Sequence, residues 1–220
     1  MWCIKEIDEE YRNRMYNILD LYAKDYRSPI ISSCIVWMKN PNNFLMIIEK
    51  VYPMKIGSPE RYDYEYKRKG KANIFVAVDF KGGKRDITVT DRRTKKDFAE
   101  YIKYLIDEVF TDAIKIRFVL DNLNTHFKKS ITDNFDEQEA ERILNKIEFN
   151  YTPKHASWLN IAEIEINVMD IMCTKRRIGN KNSLIKETDI FCDYRNKNNC
   201  KISWNFTKED ADEKLSKHYT

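Results

Sequence analysis

No stretch of this sequence stays apolar for the roughly 18 residues that a membrane span requires. The opening Met1-Trp2-Cys3-Ile4-Lys5-Glu6 also lacks the apolar core of a signal peptide. The expectation is a cytoplasmic chain with no membrane partner. Five cysteines occur (Cys3, Cys34, Cys173, Cys192 and Cys200), odd in number, scattered, and without a Cys-x-x-Cys pair. That pattern argues against a disulfide framework or a zinc module and leaves reduced, structural thiols. A strong surplus of one charge is missing too. The 39 Lys and Arg against 35 Asp and Glu leave a net charge of +4, which suits a nucleic-acid partner without requiring one. No internal repeat and no long linker divides the chain.

What is present is a core. Hydrophobic residues make up 42% and aromatic residues 13% of 220, enough for one domain or one domain with a small appendage. The charged residues, 34% of the total, cluster in places. Lys67-Arg68-Lys69 with Lys71, Arg92-Arg93 with Lys95-Lys96, and Lys175-Arg176-Arg177 are local concentrations of the kind phosphate binding needs. Each cluster taken singly also describes an ordinary solvated face.

The periodicity orders the elements. Residues 5–24 carry Ile7, Tyr11, Met15, Ile18, Leu19 and Tyr22 at helical spacing, and Ser28-Pro29 breaks the pattern. The β-branched run 30–37 reads as a buried strand. The polar string Lys39-Asn40-Pro41-Asn42-Asn43 follows, and weak order is expected over 37–52. Residues 72–80 and 85–89 read as a hairpin around Lys81-Gly82-Gly83-Lys84. Thr94 with Asp97 starts a helix whose apolar face runs from Phe98 to Val109. Strand 114–120, helix 137–146, strand 147–151 and helix 157–172 come next, the last with Ile161, Ile164, Val168 and Ile171 on one face. A final helix spans about 208–218. The order implies an α/β fold with a mixed sheet.

Two acidic residues stand out. Asp121 directly follows Phe118-Val119-Leu120, at the carboxyl end of an expected central strand, where α/β sheets concentrate catalytic side chains. The following loop, with Asn122, Asn124, Thr125 and His126, is dense in hydrogen-bonding groups. A strand-end Asp equally caps a following helix. Glu163 lies early in the helix launched by Ser157, between Ala162 and Ile164, as either a surface residue or a carboxylate aimed at a metal.

Leu120-Asp121-Asn122-Leu123-Asn124-Thr125-His126, together with Tyr151-Thr152-Pro153-Lys154-His155-Ala156-Ser157-Trp158-Leu159-Asn160 and Ala162-Glu163-Ile164-Glu165, resembles the second and third signatures of DDE-type insertion-sequence transposases of the mariner-like group. Arg61-Tyr62-Asp63-Tyr64-Glu65-Tyr66, Arg92-Arg93-Thr94-Lys95-Lys96-Asp97-Phe98, Arg176-Arg177-Ile178 and Trp204-Asn205-Phe206-Thr207 are similar to the same family. The likeness covers nearly all of the chain outside 37–52. It implies an RNase H-like mixed β-sheet flanked by helices, with three carboxylates around two Mg²⁺ or Mn²⁺ ions. Two such ions roughly 4 Å apart clamp the attacking and leaving oxygens of a phosphodiester. By that resemblance Asp121 and Glu163 are the second and third carboxylates and metal ligands. Asn122, His126, Lys154 and His155 would support substrate phosphates. Arg92, Arg93, Lys95, Lys96, Lys175, Arg176 and Arg177 would contact DNA, both transposon ends and target, and a homodimer is left open.

The family's first Asp ends the first strand in a pattern like Leu-Asp-Glu. Here that strand ends Cys34-Ile35-Val36-Trp37-Met38-Lys39, and no acidic residue occurs from Arg27 to Ile48. The codons of Trp37 and Met38, TGG and ATG, contain the Asp codon GAT out of frame, and the same frame gives GAA, Glu, across Lys39. Two compensating frameshifts, one before Trp37 and one before Pro53, would explain the lesion. Asp79, at the end of the hairpin strand, is a candidate substitute. The expected organisation is a helical lead-in over 1–29, a catalytic domain over 30–178 and a helical extension over 179–220. Only about 25 residues precede the first core strand, fewer than a helix-turn-helix module needs. The reading is a decayed, N-terminally truncated and inactive transposase catalytic domain. The alternatives are a non-catalytic DNA-binding remnant and a host nuclease of the same fold.

Overall fold

The computed structural model describes residues 6–24, 31–47, 54–59, 66–121, 128–176 and 178–220, with the backbone alone for 31–47 and 66–69. Its centre is a five-stranded mixed sheet in the order β3-β2-β1-β4-β5. The strands are β1 (Ile31–Ile47), β2 (Tyr66–Asp79), β3 (Arg85–Thr90), β4 (Lys115–Leu120) and β5 (Ile147–Tyr151). β1, β2 and β3 form antiparallel neighbours, while β4 runs parallel to both β1 and β5.

The alternation along β2 explains why the sheet is covered twice. Ile74, Val76 and Val78 join one apolar cluster, while Phe75 and Ala77 join another on the opposite face. The helices α1 (Glu9–Ala23), α5 (Ala162–Met169), α6 (Lys181–Lys197) and α7 (Lys208–Leu215) supply the first cluster. The second lies beneath α2 (Lys95–Tyr104), the π-helical turn that continues it to Val109, α3 (Lys128–Thr132) and α4 (Glu137–Lys146). Leu184 and Phe191 of α6 are in the same core as β2, so the segment read as a C-terminal extension packs directly on the sheet. No helix among the described residues is long and apolar enough to cross a membrane.

Local chemistry sets most boundaries. Asp8 accepts the Tyr11 amide at 2.7 Å and starts α1 at Glu9, four residues after the expected start. Ile7, expected inside that helix, instead forms an isolated parallel bridge with Tyr219, so the two ends of the described chain meet. Thr94 and Asp97 cap α2 reciprocally, as the sequence implies. Gly83 turns the β2–β3 hairpin at φ +79°, a conformation costly for a residue with a Cβ.

Two expectations need correction. β1 does not lapse at Trp37; it continues to Ile47, paired throughout with β2. The polar string is absorbed as a register shift between Lys39 and Asn42, and a second shift falls between Phe44 and Leu45. A bulge is where a proline such as Pro41, lacking an N–H, is tolerated in a strand. Residues 48–52 lie outside the described residues. The second correction concerns α5. Ile164 and Ile171 face solvent, and the buried side is Ala162, Glu165, Ile166 and Met169. Apart from Glu165 the buried side is itself apolar, so the helix has a second apolar face to choose from.

Candidate active site

β4 delivers the first site residue. Ile116, Phe118 and Leu120 are anchored in one core and Val119 in the other, which fixes the strand's end and leaves Asp121 at its carboxyl edge. The Thr152 amide donates to the Leu120 carbonyl at 2.9 Å, tying the chain after β5 to the same edge.

The loop from β5 to α5 places the second. The Ala156 amide closes a turn on the Pro153 carbonyl at 3.2 Å, and His155 takes φ +63°, the left-handed region that a residue with a Cβ adopts at a cost. A 3-10 turn, Ser157–Leu159, follows. Tyr22, buried on α1, donates its hydroxyl to the Leu159 carbonyl at 2.7 Å and so pins this turn from below. Asn160 then caps α5, its Oδ1 accepting the Ala162 amide at 3.1 Å and its carbonyl accepting the Glu163 amide at 3.0 Å. Glu163 thus sits in the first turn of α5, half-buried. Burial holds its carboxyl above the usual range, the negative charge of Asp121 pushes it further up, and a hydrogen bond with the Ser157 side chain opposes the rise. The charge of Asp121 is thus felt at Glu163, and a cation between two carboxylates would relieve such a rise.

β1 lies beside β4 in the sheet. The parallel pairs Cys34↔Phe118 and Ile35↔Val119 set the register, and two residues further Trp37 stands level with Asp121. Asp79 does not take over the position. It pairs with Cys34, and so lies level with Phe118. That is about 10 Å back along β4 and about 10 Å across, from the usual strand rise and spacing. Its Oδ1 is occupied by the hairpin, accepting the amides of Lys81 at 3.2 Å and Gly82 at 2.8 Å. Among the described residues no group of three or more His, Cys, Asp and Glu side chains is placed to hold a metal ion. Among the described residues the candidate donors are the two hard carboxylates Asp121 and Glu163, one fewer than a two-ion centre with three carboxylates takes.

Of the remaining candidates, Lys154 and His155 are exposed in the β5–α5 loop beside the site. Asn122, His126 and Arg177 lie outside the described residues. Arg92, Arg93, Lys95 and Lys96 are exposed where β3 leads into α2. β3 is antiparallel to β2, and β2 to β1, so this turn sits at the same sheet edge as Asp121. An ion pair between Lys181 and Asp91 at 2.7 Å brings the start of α6 there as well. Lys175 and Arg176, also exposed, precede that helix, and Arg176 is paired with Glu187. The exposed cations thus gather at one corner.

The sequence reading missed a buried charge cluster. Glu165, two residues after Glu163, is fully buried; its Oε1 lies 2.9 Å from Arg85 Nε. Arg195 of α6 grips it with Nε at 2.9 Å and Nη2 at 2.6 Å. Arg85 donates further to the Gly83 carbonyl at 2.9 Å and to the Cys200 carbonyl. The only local signal was a second glutamate inside an otherwise apolar helix.

The family model of the DDE superfamily endonucleases matches residues 48–185, a stretch that holds Asp121 and Glu163 and begins after β1. No curated protein matches the chain. Among solved structures, the chain is similar to a pre-cleavage Mos1 transpososome, with TM-score 0.57 and 13% identity over 99% of this chain and 65% of that one. A Mos1 transposase paired-end complex with the left transposon end gives 0.55 and 15%, over 91% of this chain and 61% of that one. The Mos1 strand transfer complex gives 0.53 and 13%, over 99% and 64%. The chain therefore spans 61–65% of the length of these transposases. Likeness at such identity speaks to the fold, an RNase H-like sheet with helices on both faces.

Proposed function

The chain belongs to the DDE superfamily endonucleases, and on that footing we propose that it is a mariner-like transposase catalytic domain that has lost its activity with the first of its three carboxylates. The ancestral reaction is divalent-metal-dependent DNA strand cleavage and transfer. The observation that carries the reading is that Asp121 follows the carboxyl end of β4 near enough for its charge to raise the Glu163 carboxyl, while the level position on β1 is Trp37. A carboxylate shared by two ions holds both. Its removal need forfeit only about 4 kcal/mol of transition-state stabilisation to slow the chemistry a thousandfold.

The cause we propose is the pair of compensating frameshifts around β1. Three facts support it: the out-of-frame Asp-Glu codons at Trp37-Met38-Lys39, the absence of acidic residues from Arg27 to Ile48, and a family match that starts at residue 48. The nucleotide sequence of the gene tests this directly. Codons at 36–39 that do not read Leu-Asp-Glu in the shifted frame would rule it out.

What such a copy retains is DNA affinity. The exposed Arg92, Arg93, Lys95, Lys96, Lys175 and Arg176 share one corner at the site's edge, a local density of cations suited to a phosphate backbone. A plasmid-nicking assay with Mg²⁺ or Mn²⁺ separates the readings. The native chain should bind plasmid in a salt-sensitive way without nicking it. Trp37→Asp should nick, by a factor of about a thousand over the native chain, and adding Asp121→Ala should abolish that gain. Nicking by the native chain that Asp121→Ala removes would mean the site is complete after all.

A further inference from the structure

α5 carries two apolar faces and buries only one of them. At about 100° per residue, the exposed Ile164, with Ile171 in the turn that follows, lies roughly two-fifths of a turn from the buried face, Ala162, Glu165, Ile166 and Met169. Hydrophobicity alone does not choose between the two faces, and the buried one is the face that takes Glu165 out of water. What distinguishes the buried face is the cluster under the helix: Glu165 at 0% exposure between Arg85 Nε, 2.9 Å away, and the two-point grip of Arg195. The consequence for the site follows from the same wheel. Glu163 now flanks the buried face on the side of Asp121. Turning the isoleucines inward would carry Glu163 to the opposite flank.

We infer that Arg85, Glu165 and Arg195 form a positioning cluster that sets the rotation of α5, and through it aims Glu163 at Asp121. The role assigned to Glu163 rests on the transposase reading; the rotation itself does not. Buried ion pairs are often replaceable by apolar residues without loss of stability, and fixing register is among their best-attested uses. The cluster also joins α5 to the first residue of β3, to α6 and to the Cys200 carbonyl. The orientation of the carboxylate is thereby tied to the docking of the C-terminal helices.

The test reads rotation rather than catalysis. Ile164→Cys is introduced into the native chain, and its alkylation rate by iodoacetamide is followed by peptide mass mapping. At 42% exposure the residue should react quickly. The same reporter is then placed in the chain with Arg85→Met, Glu165→Met and Arg195→Met. The cluster account expects a urea midpoint that is unchanged or higher and an alkylation rate lowered about twofold or more, as α5 samples both rotations. A folded triple variant alkylated at the native rate overturns the inference. If the triple variant does not fold, Glu165→Gln alone is measured by hydrogen exchange. Lost protection over α5 with β2 and β4 unchanged supports the inference. Protection that is unchanged, or lost evenly across all of them, overturns it. Failure of the transposase reading would appear in the nicking assay and leave these rates untouched.

Discussion

β1 and β4 lie side by side in parallel register, yet one leads into a carboxylate and the other does not. β4 is followed directly by Asp121, and β1 passes the same level with Trp37. Both are strands because backbone pairing needs only N–H and C=O groups in register, and a bulge absorbs even an Asn-Pro step. A metal site needs particular oxygen atoms at particular places. A changed segment can therefore keep its topology and lose its reaction.

The comparison is sharpened first by stability. Phe118, fully buried in β4, is held by side-chain packing. Phe118→Ala should cost about 3–5 kcal/mol in urea unfolding. Trp37→Asp should cost clearly less, because backbone pairing with β2 holds β1 at that level. A loss at position 37 equal to that at 118 would break the contrast. The next effect concerns the retained corner. Arg92→Ala with Arg93→Ala should lower the slope of log affinity for duplex DNA against log salt by about 0.9 per phosphate contact removed. An unchanged slope would place DNA elsewhere.

Much of the β4 side was legible in the sequence. The hairpin, the Thr94–Asp97 cap, β4, α4 and β5 are specified by local alternation and capping groups, and the strand-end position of Asp121 follows from them. Two features were not legible, for a common reason. The persistence of β1 depends on a partner strand 39 residues on, pairing Trp37 with Val76. The rotation of α5 depends on Arg85 and Arg195, which no window around Glu165 contains. Period-based reading ranks Ile164 above Glu165 for burial because it cannot count a guanidinium that arrives from another element. The charge of Asp121 felt at Glu163 likewise involves two motifs, neither of which carries it alone.

A smaller effect probes a region remote from the site. Arg142 and Lys103 hold the Glu139 carboxyl down to about 2 on the surface where α4 meets the end of α2. A depressed carboxyl contributes stability that is fully present above its unfolded value and lost as pH falls through the folded one. The pair is partly exposed, so its contribution is on the order of 0.5 kcal/mol. Glu139→Gln should lower the urea midpoint slightly at pH 7 and make progressively less difference towards pH 2. A difference that grows on acidification would contradict the assignment.

The central claim, that the site keeps two of its three carboxylates, is tested most directly by counting ions. Mn²⁺ is titrated by electron paramagnetic resonance into the native chain, Asp121→Ala and Trp37→Asp. The account predicts at most one weakly held ion in the native chain, none at this site in Asp121→Ala, and two in Trp37→Asp. Two tightly held ions in the native chain, lost on Asp121→Ala, would show that another group already supplies the third ligand and would contradict it.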